Sequence, residues 1–471
     1  MSLPPGATAA EGTRTPRTLR PMVGVLVAMA TSLTATRVST VALPWFVLVT
    51  THSAAWTGLV AFCEMAPYVL VKLLAGPVVD RIGTRRVSWV ADLVSAVVAL
   101  AIPLLHLAQL LALPVLLGLV ALIGAARGPG DVAKEVMVPV AAEYGRLPLE
   151  RATGLSGAVE RLALTVGLAA GGALVALVGP LASLTVNAGC FALGSLVVRL
   201  TLPRDGAATV EGAEAATAAE ERSGYRGRLR EGFTFLRTDT LLWAVVVMVG
   251  VTNLLDAAFG AVLIPLWARS SGNGPAVIGL VGGVMGAAAI AGSLLAAGIA
   301  HRLPRRMVFF GGFLVAGAPR FVVLALGAPL PVVLAVFALG GFGAGFLNPI
   351  IGSLAFERVP RRMWARVNAL GDSIAWAGVP LGGLLAGAAV GFVGLVPVLW
   401  AGGAVYAATT GLTGLRREWR EMDRDRRRGR GKGAGTGMNP ALAPSGEPAG
   451  PPHLESVGKG RRGASPSSRG D

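Results

Sequence analysis

The stretch GPVVDRIGTRRV, residues 76–87, decides how this chain is read. One aspartate and three arginines crowd a short segment that holds Gly76 and Gly83 and has a long apolar run on either side. A weaker echo, GIAHRLPRRMV at residues 298–308, stands in the same setting in the second half of the chain. A polar segment repeated between apolar runs marks an internally duplicated membrane protein with many spans.

Working outward from that segment, the composition agrees. Hydrophobic residues make up 53% of 471, another 65 residues are Gly, and only 14% are charged, against about a quarter in soluble domains. Twelve apolar stretches are long enough to cross a bilayer as helices, at 22–49, 55–79, 87–106, 113–138, 153–178, 181–202, 241–267, 276–300, 307–326, 332–356, 367–391 and 395–415. They are rich in Leu, Val, Ala and Gly without alternation of polar and apolar residues, which favours helices over a membrane β-barrel. The first stretch is too long for a signal peptide, contains Arg37 and is followed at once by another span, so it is expected to stay in the mature protein.

Cations gather at alternate connections: Arg14, Arg17 and Arg20; Arg81, Arg85 and Arg86; Arg146 and Arg151; the arginines of 204–237, 302–306 and 358–366. The intervening connections are nearly free of Lys and Arg, with Arg269 the exception. By the positive-inside rule both termini are expected on the cytoplasmic side of the plasma (inner) membrane. Topology then accounts for the net charge of +16, and nucleic-acid binding is not expected. Cys63 and Cys190 fall in separate spans with no metal-ligand or redox spacing around them, and read as small buried hydrophobes.

The chain divides into a cytoplasmic N-terminal segment (1–20), a six-helix half (21–202), a cytoplasmic linker (203–240), a second six-helix half (241–415) and a basic, Gly/Pro/Ser-rich tail (416–471) expected to be disordered. Within the linker, GYRGRLREGFTFLRT sets Leu229, Phe233 and Leu236 at helical spacing against Arg226, Arg230 and Arg237, which predicts an amphipathic helix on the membrane surface.

Twelve spans in two halves, with GxxxDRxGxRR between spans 2 and 3, resemble the major facilitator superfamily, and within it the drug:proton antiporter branch that includes macrolide-efflux and enterobactin-exporter proteins. The likeness runs through RVSTVALPWFVLV, EMAPYVL, WVADLVSAVVAL, LERATGLSGAVERL and MWARVNALGDSIAW. Three features depart from it: His301 stands where Asp80 would repeat, Pro304 where Gly83 would, and the span-5 signature appears only as GLAAGG, with PLGG in span 11 instead. The resemblance implies an all-α membrane fold, alternating access, and a gating role for Gly76, Asp80, Arg81, Gly83, Arg85 and Arg86. Gly76 would allow close helix approach and Gly83 a tight turn, while the arginines would reach carboxylates on neighbouring helices.

Charges inside spans are costly, on the order of 3 kcal/mol each at the bilayer centre, so each one marks a candidate site. Arg37 and Glu64 lie at comparable depth in adjacent spans and are expected to pair, either as a proton-sensitive switch or as a permanent pin. Arg127, Asp131 and Glu135 form an i, i+4 stripe in span 4, with Lys134 close by. Glu64, Asp131 and Asp256 are the candidate proton-coupling carboxylates. The resemblance, which places spans 1, 4, 7 and 10 around the central cavity, puts Arg37, Arg127, Asn253 and Asn348 there beside Asp131 and Asp256. Glu135, Glu160 and Asp372 are candidates for a cytoplasmic latch, with Lys134 and Glu135 snorkelling or latching to Arg81, and Asp92 and Arg161 sit near the same surface.

The expected activity is proton-coupled efflux of small amphipathic or hydrophobic compounds; an uncoupled facilitator or an uptake carrier is the alternative, and a membrane enzyme a remote one. The partners are a small-molecule substrate, protons and the lipid bilayer, with the chain a monomer. No nucleotide-binding loop ending in Lys-Ser/Thr is present, and no cofactor or metal is called for.

Overall fold

The computed structural model describes residues 18–202, 225–299, 305–347, 350–351, 354, 358–360 and 363–415. Residues 1–17, the linker over 203–224, His301, Pro304, Asn348 and the tail from 416 lie outside the described residues.

The first half begins with α1 (Arg20–Thr51), α2 (Ala54–Leu73), α3 (Ala75–Ile82) and α4 (Thr84–Leu107). Pro21 opens α1 where its missing N–H costs nothing, and His52 closes it in the left-handed region at φ 56°. Ser53 caps α2 by accepting from the Trp56 backbone N–H at 3.4 Å. The 76–87 segment is not one turn. It forms the two-turn helix α3, then a corner at Gly83, whose φ of 90° any side chain would resist.

The half continues with α5 (Leu113–Gly145) and α6 (Leu149–Thr201). As a straight rod the 53 residues of α6 would run about 80 Å at 1.5 Å per residue, twice what a bilayer holds. The helix is broken at Gly179 (φ 83°, ψ 166°), followed by Pro180, and serves as two spans as the hydropathy predicts.

In the second half, α7 (Tyr225–Thr238) is the expected amphipathic helix. Asp239 then caps α8 (Thr240–Ala258), accepting from Leu241 N at 3.1 Å and Leu242 N at 3.0 Å. A π-helical turn at Phe259–Leu263 joins α8 to α9 (Ile264–Ser270), giving one apolar span over Thr240–Ser270. After it come α10 (Ala276–Ile299), α11 (Arg305–Ala316), α12 (Ala318–Ala325), α13 (Leu330–Gly345), α14 (Trp364–Ala377), α15 (Val379–Val393) and α16 (Leu395–Leu415). Pro319 and Pro380 follow the breaks that split spans into α11–α12 and α14–α15. Among the described residues ten helices are long and apolar enough to cross a membrane, one of them holding two spans, and the shorter α13 supplies the twelfth. The protein is a multi-pass membrane protein. Leu177, Leu294 and Phe392 are 83%, 72% and 89% exposed, as befits side chains that face lipid rather than water.

The arginine-bearing ends cluster. Arg20 donates to the Leu200 carbonyl at 2.8 Å, Arg85 to Arg199 O at 2.6 Å, and Arg306 to Gly414 O at 3.0 Å. In each case a cation meets the negative end of a helix dipole. Between the halves, contact lies toward the other end. Glycines on α2 and α15 let backbones touch, so that a Cβ on Gly387 would stand 3.1 Å from the Gly58 Cα; a Cβ on Gly172 of α6 would stand 2.5 Å from the Gly279 Cα of α10. Arg269, the exceptional cation of that end, crosses from α9 to donate to the Leu48 carbonyl of α1 at 2.6 Å.

Candidate functional site

The deepest polar structure in the first half is a ladder between α2 and α5. Three rungs join residues 63 positions apart: Arg127 donates to Glu64 at 3.0 Å, the Tyr68 hydroxyl to Asp131 at 3.2 Å, and Lys72 to Glu135 at 3.2 Å. A constant offset arises because α2 and α5 run parallel, and residues at i, i+4 and i+8 of each share one face. Gly124 on α5 brings the helices together: a Cβ there would stand 3.4 Å from the Glu64 Cα. Exposure grows along the ladder, from 6% and 8% for Arg127 and Glu64 to 36% and 62% for Lys72 and Glu135. The Tyr68 ring ties the rungs, with the Arg127 guanidinium 5.1 Å and the Lys72 ammonium 5.9 Å from its centroid.

This pairing corrects two sequence expectations. Glu64 pairs with Arg127 rather than Arg37, because the Arg37 stem packs against α6, where a Cβ on Gly167 would stand 2.9 Å from the Arg37 Cβ. Arg37 is half-buried, with its Nε unpartnered, and lies within electrostatic reach of Arg127, Asp131, Tyr68 and Glu160. Lys134 neither snorkels nor reaches Arg81. It is buried against Asp92 of α4 at 2.7 Å and Ser32 of α1 at 3.0 Å, both partners being sealed, so Asp92 is an internal pin and not a surface residue. Gly130 facing the Ala91 methyl lets α4 and α5 close enough for that bond.

The 76–87 segment is arranged differently from the sequence expectation. Asp80, Arg81 and Arg86 are exposed, and a Cβ on Gly76 would meet nothing within 4 Å, so no close approach depends on Gly76 here. Arg85 finds a helix-end carbonyl rather than a carboxylate. Glu160 and Arg161 are exposed on α6. Asp372, exposed on α14, accepts from Asn368 at 3.2 Å and lies within electrostatic reach of Lys72 across the boundary between the halves.

The second half holds its own ion pair. Arg320 of α12 bonds Asp256 of α8 and sits over the rings of Phe259, Tyr406 and Phe321 at 5.0, 5.6 and 5.8 Å. Arg320 is buried, whereas the Asp256 side chain is 42% exposed. The pair borders a cavity of about 200 Å³ that Thr252, Asn253, Met285 and Tyr406 also line. Asn253 donates its amide to the Ala375 carbonyl at 3.0 Å. The structure therefore brings Asp256 and Asn253 to one cavity and Glu64, Arg127, Asp131 and Glu135 to one ladder. Tyr68, Lys72 and Arg320 escape the sequence reading. The charge of Arg320 inside an apolar span, and the i, i+4, i+8 spacing of Glu64, Tyr68 and Lys72, are the signals that mark them.

Known proteins agree with this architecture. The Major Facilitator Superfamily model matches residues 25–260 and 246–452. The multidrug efflux pump Tap of Mycobacterium tuberculosis (strain H37Rv) is 31% identical over 397 residues, covering 82% of this chain and 91% of Tap. Tap of Mycolicibacterium fortuitum is 29% identical over 381 residues, covering 80% and 90%. Among solved structures, a bacterial homologue of the human lysosomal transporter Spinster, inward-facing and unoccupied, aligns with a TM-score of 0.65 at 14% identity over 86% of this chain and 98% of that one. The nucleoside transporter NupG aligns with a TM-score of 0.61 at 15% identity over 83% and 98%. Those two likenesses bear on the fold, and the Tap relatives on the lineage. With duplicated halves, glycine-packed boundaries and buried charge pairs in the same chain, the protein is a transporter that belongs to the Major Facilitator Superfamily.

Proposed function

We propose that this transporter exports small amphipathic or hydrophobic compounds from the cytoplasm across the cell membrane in exchange for protons. The observation that carries this reading is the Asp256 carboxylate. It lies part-exposed beside a cavity in the second half where Met285, Phe313, Leu347 and Tyr406 stand with the polar Thr252 and Asn253, apolar walls with a few polar groups that suit an amphipathic compound. The Tap relatives, multidrug efflux pumps by name, support the direction and the substrate class. The halves, residues 21–202 and 241–415 joined through 203–240, rock against each other by alternating access. With the Arg-rich end cytoplasmic, the glycine contacts at the other end make this an inward-open state. Asp80 and Arg81 then form the latch of the closed state and are exposed here because that latch is undone.

Asp131 is the favoured coupling carboxylate of the first half. It is half-buried and bonded to a neutral hydroxyl, whereas Glu64 is sealed behind Arg127. The test is transport into inside-out vesicles across a compound panel, with and without an imposed pH gradient. Accumulation that needs the gradient is expected. Equal rates without it would make the protein a facilitator, and no transport of any amphipathic compound would remove the export reading.

A further inference from the structure

The Tyr68 hydroxyl occupies the middle rung of the ladder. It donates to Asp131 at 3.2 Å, and its ring lies between the cations of the rungs above and below. An ionised carboxylate can only accept that bond, whereas a protonated one carries a donor of its own. When a proton passes from a hydronium ion to an Asp131 oxygen, one O–H bond breaks in the carrier and one forms on the carboxyl; the rung then loses its charge assistance and weakens, or turns round so that the carboxyl donates to the Tyr68 oxygen.

The partner of Asp131 sits on the helix best placed to respond. At one end α2 packs its Gly58 against Gly383 and Gly387 of α15; at the other, Lys72 lies within electrostatic reach of Asp372 on α14. A change in the middle rung is therefore felt by a helix that packs on the second half at one end and acts on it electrostatically at the other. The charged groups around Asp131 come from every neighbouring helix. These are Arg37 of α1, Glu64 and Lys72 of α2, Asp92 of α4 with its partner Lys134 of α5, Arg127 and Glu135 of α5 itself, and Glu160 of α6 through Arg37. Asp80 and Arg81 of α3 are exposed. Among these groups Tyr68 alone touches Asp131 with a neutral hydroxyl that can turn its proton either way.

We propose that Tyr68 is the positioning residue that transmits the protonation of Asp131 from α5 to α2 and thereby to the boundary between the halves. This rests on the reading that transport is proton-coupled, and the experiment separates the two. In inside-out vesicles, Tyr68→Phe should bind substrate with wild-type affinity and keep gradient-free substrate exchange. Its gradient-driven accumulation should fall about tenfold, the scale of a typical coupling between sites. Asp131→Asn should lose gradient drive as well, and Tyr68→Phe added to it should cost nothing more, since the first removes the titrating group of the rung and the second its relay, two steps of one path.

Wild-type transport that ignores the gradient would defeat proton coupling itself. A gradient-dependent wild type with Tyr68→Phe equally dependent, or losses in the two single variants that multiply in the double, would overturn the role of Tyr68 alone. A purely structural hydroxyl would lower the melting temperature of Tyr68→Phe and leave the pH profile of transport in place, which also overturns the proposal.

Discussion

Arg85 and Arg306 stand at equivalent places in the two copies of the Gly/Arg segment, and each donates through Nη2 to a carbonyl at the end of the last helix of its own half. The acceptors are Arg199 O at 2.6 Å and Gly414 O at 3.0 Å. The duplication thus preserves a helix-capping device even though the second copy lacks the aspartate and the glycine. A cation at a helix C-terminus neutralises orphan carbonyls and complements the dipole.

Removing either cap should cost stability before it costs gating. Arg85→Ala and Arg306→Ala are each expected to lower stability by about 1–2 kcal/mol, the worth of a charged hydrogen bond with its dipole term. Lysine at either position should recover part of the loss. Thermal melting of the purified variants in detergent checks this, and unchanged melting with altered transport would return Arg85 to a gating role.

The pin between Lys134 and Asp92 makes a sharper prediction. Lys134→Met leaves a sealed carboxylate without its cation and should destabilise the protein by about 3–5 kcal/mol, whereas Lys134→Met with Asp92→Leu should regain most of that. Expression yield and melting temperature of the two variants decide it. Equal damage from the single and the double change would show that the pair does more than hold α1, α4 and α5 together.

Lys72 bonds Glu135 on its own half and lies within electrostatic reach of Asp372 on the other. Closure at the Arg-rich end is expected to transfer Lys72 from the first to the second. Lys72→Glu should then slow transport severely, and Asp372→Lys in the same chain should restore much of it by rebuilding the pair in reverse. Failure of the swap to rescue, with both proteins folded, would confine Lys72 to its rung with Glu135.

Bulk at the glycine boundary should bias the conformational equilibrium. Gly387→Val places a branched side chain where a single Cβ already stands 3.1 Å from the Gly58 Cα, so the contact at that end must open. Cysteine labelling from the side opposite the Arg-rich end should increase, and substrate turnover should fall. Labelling that stays at the wild-type level means the helices absorb the valine without parting.

Membrane architecture was legible in the sequence because it rests on local free energies. Transfer of an apolar segment into lipid depends on the residues of that segment, so hydropathy located the spans, including the two within α6. Gly83 was legible for the same reason, since a positive φ is a property of one residue. The separation of Glu64, Tyr68 and Lys72 by one helical turn each was also present in the chain, but their partners were not. Glu64 had two arginines at suitable depth, Arg37 and Arg127, and depth alone cannot choose between them. The choice was made by packing: Gly124 draws α5 onto α2 at Glu64, while Gly167 draws the Arg37 stem onto α6. Lys134 likewise reads as a residue near a helix end, and only the closure of α4 on α5 at Gly130 turned it inward to Asp92. Hydropathy acts within a segment, whereas ion pairing acts across segments and follows whichever helix faces small residues allow to meet.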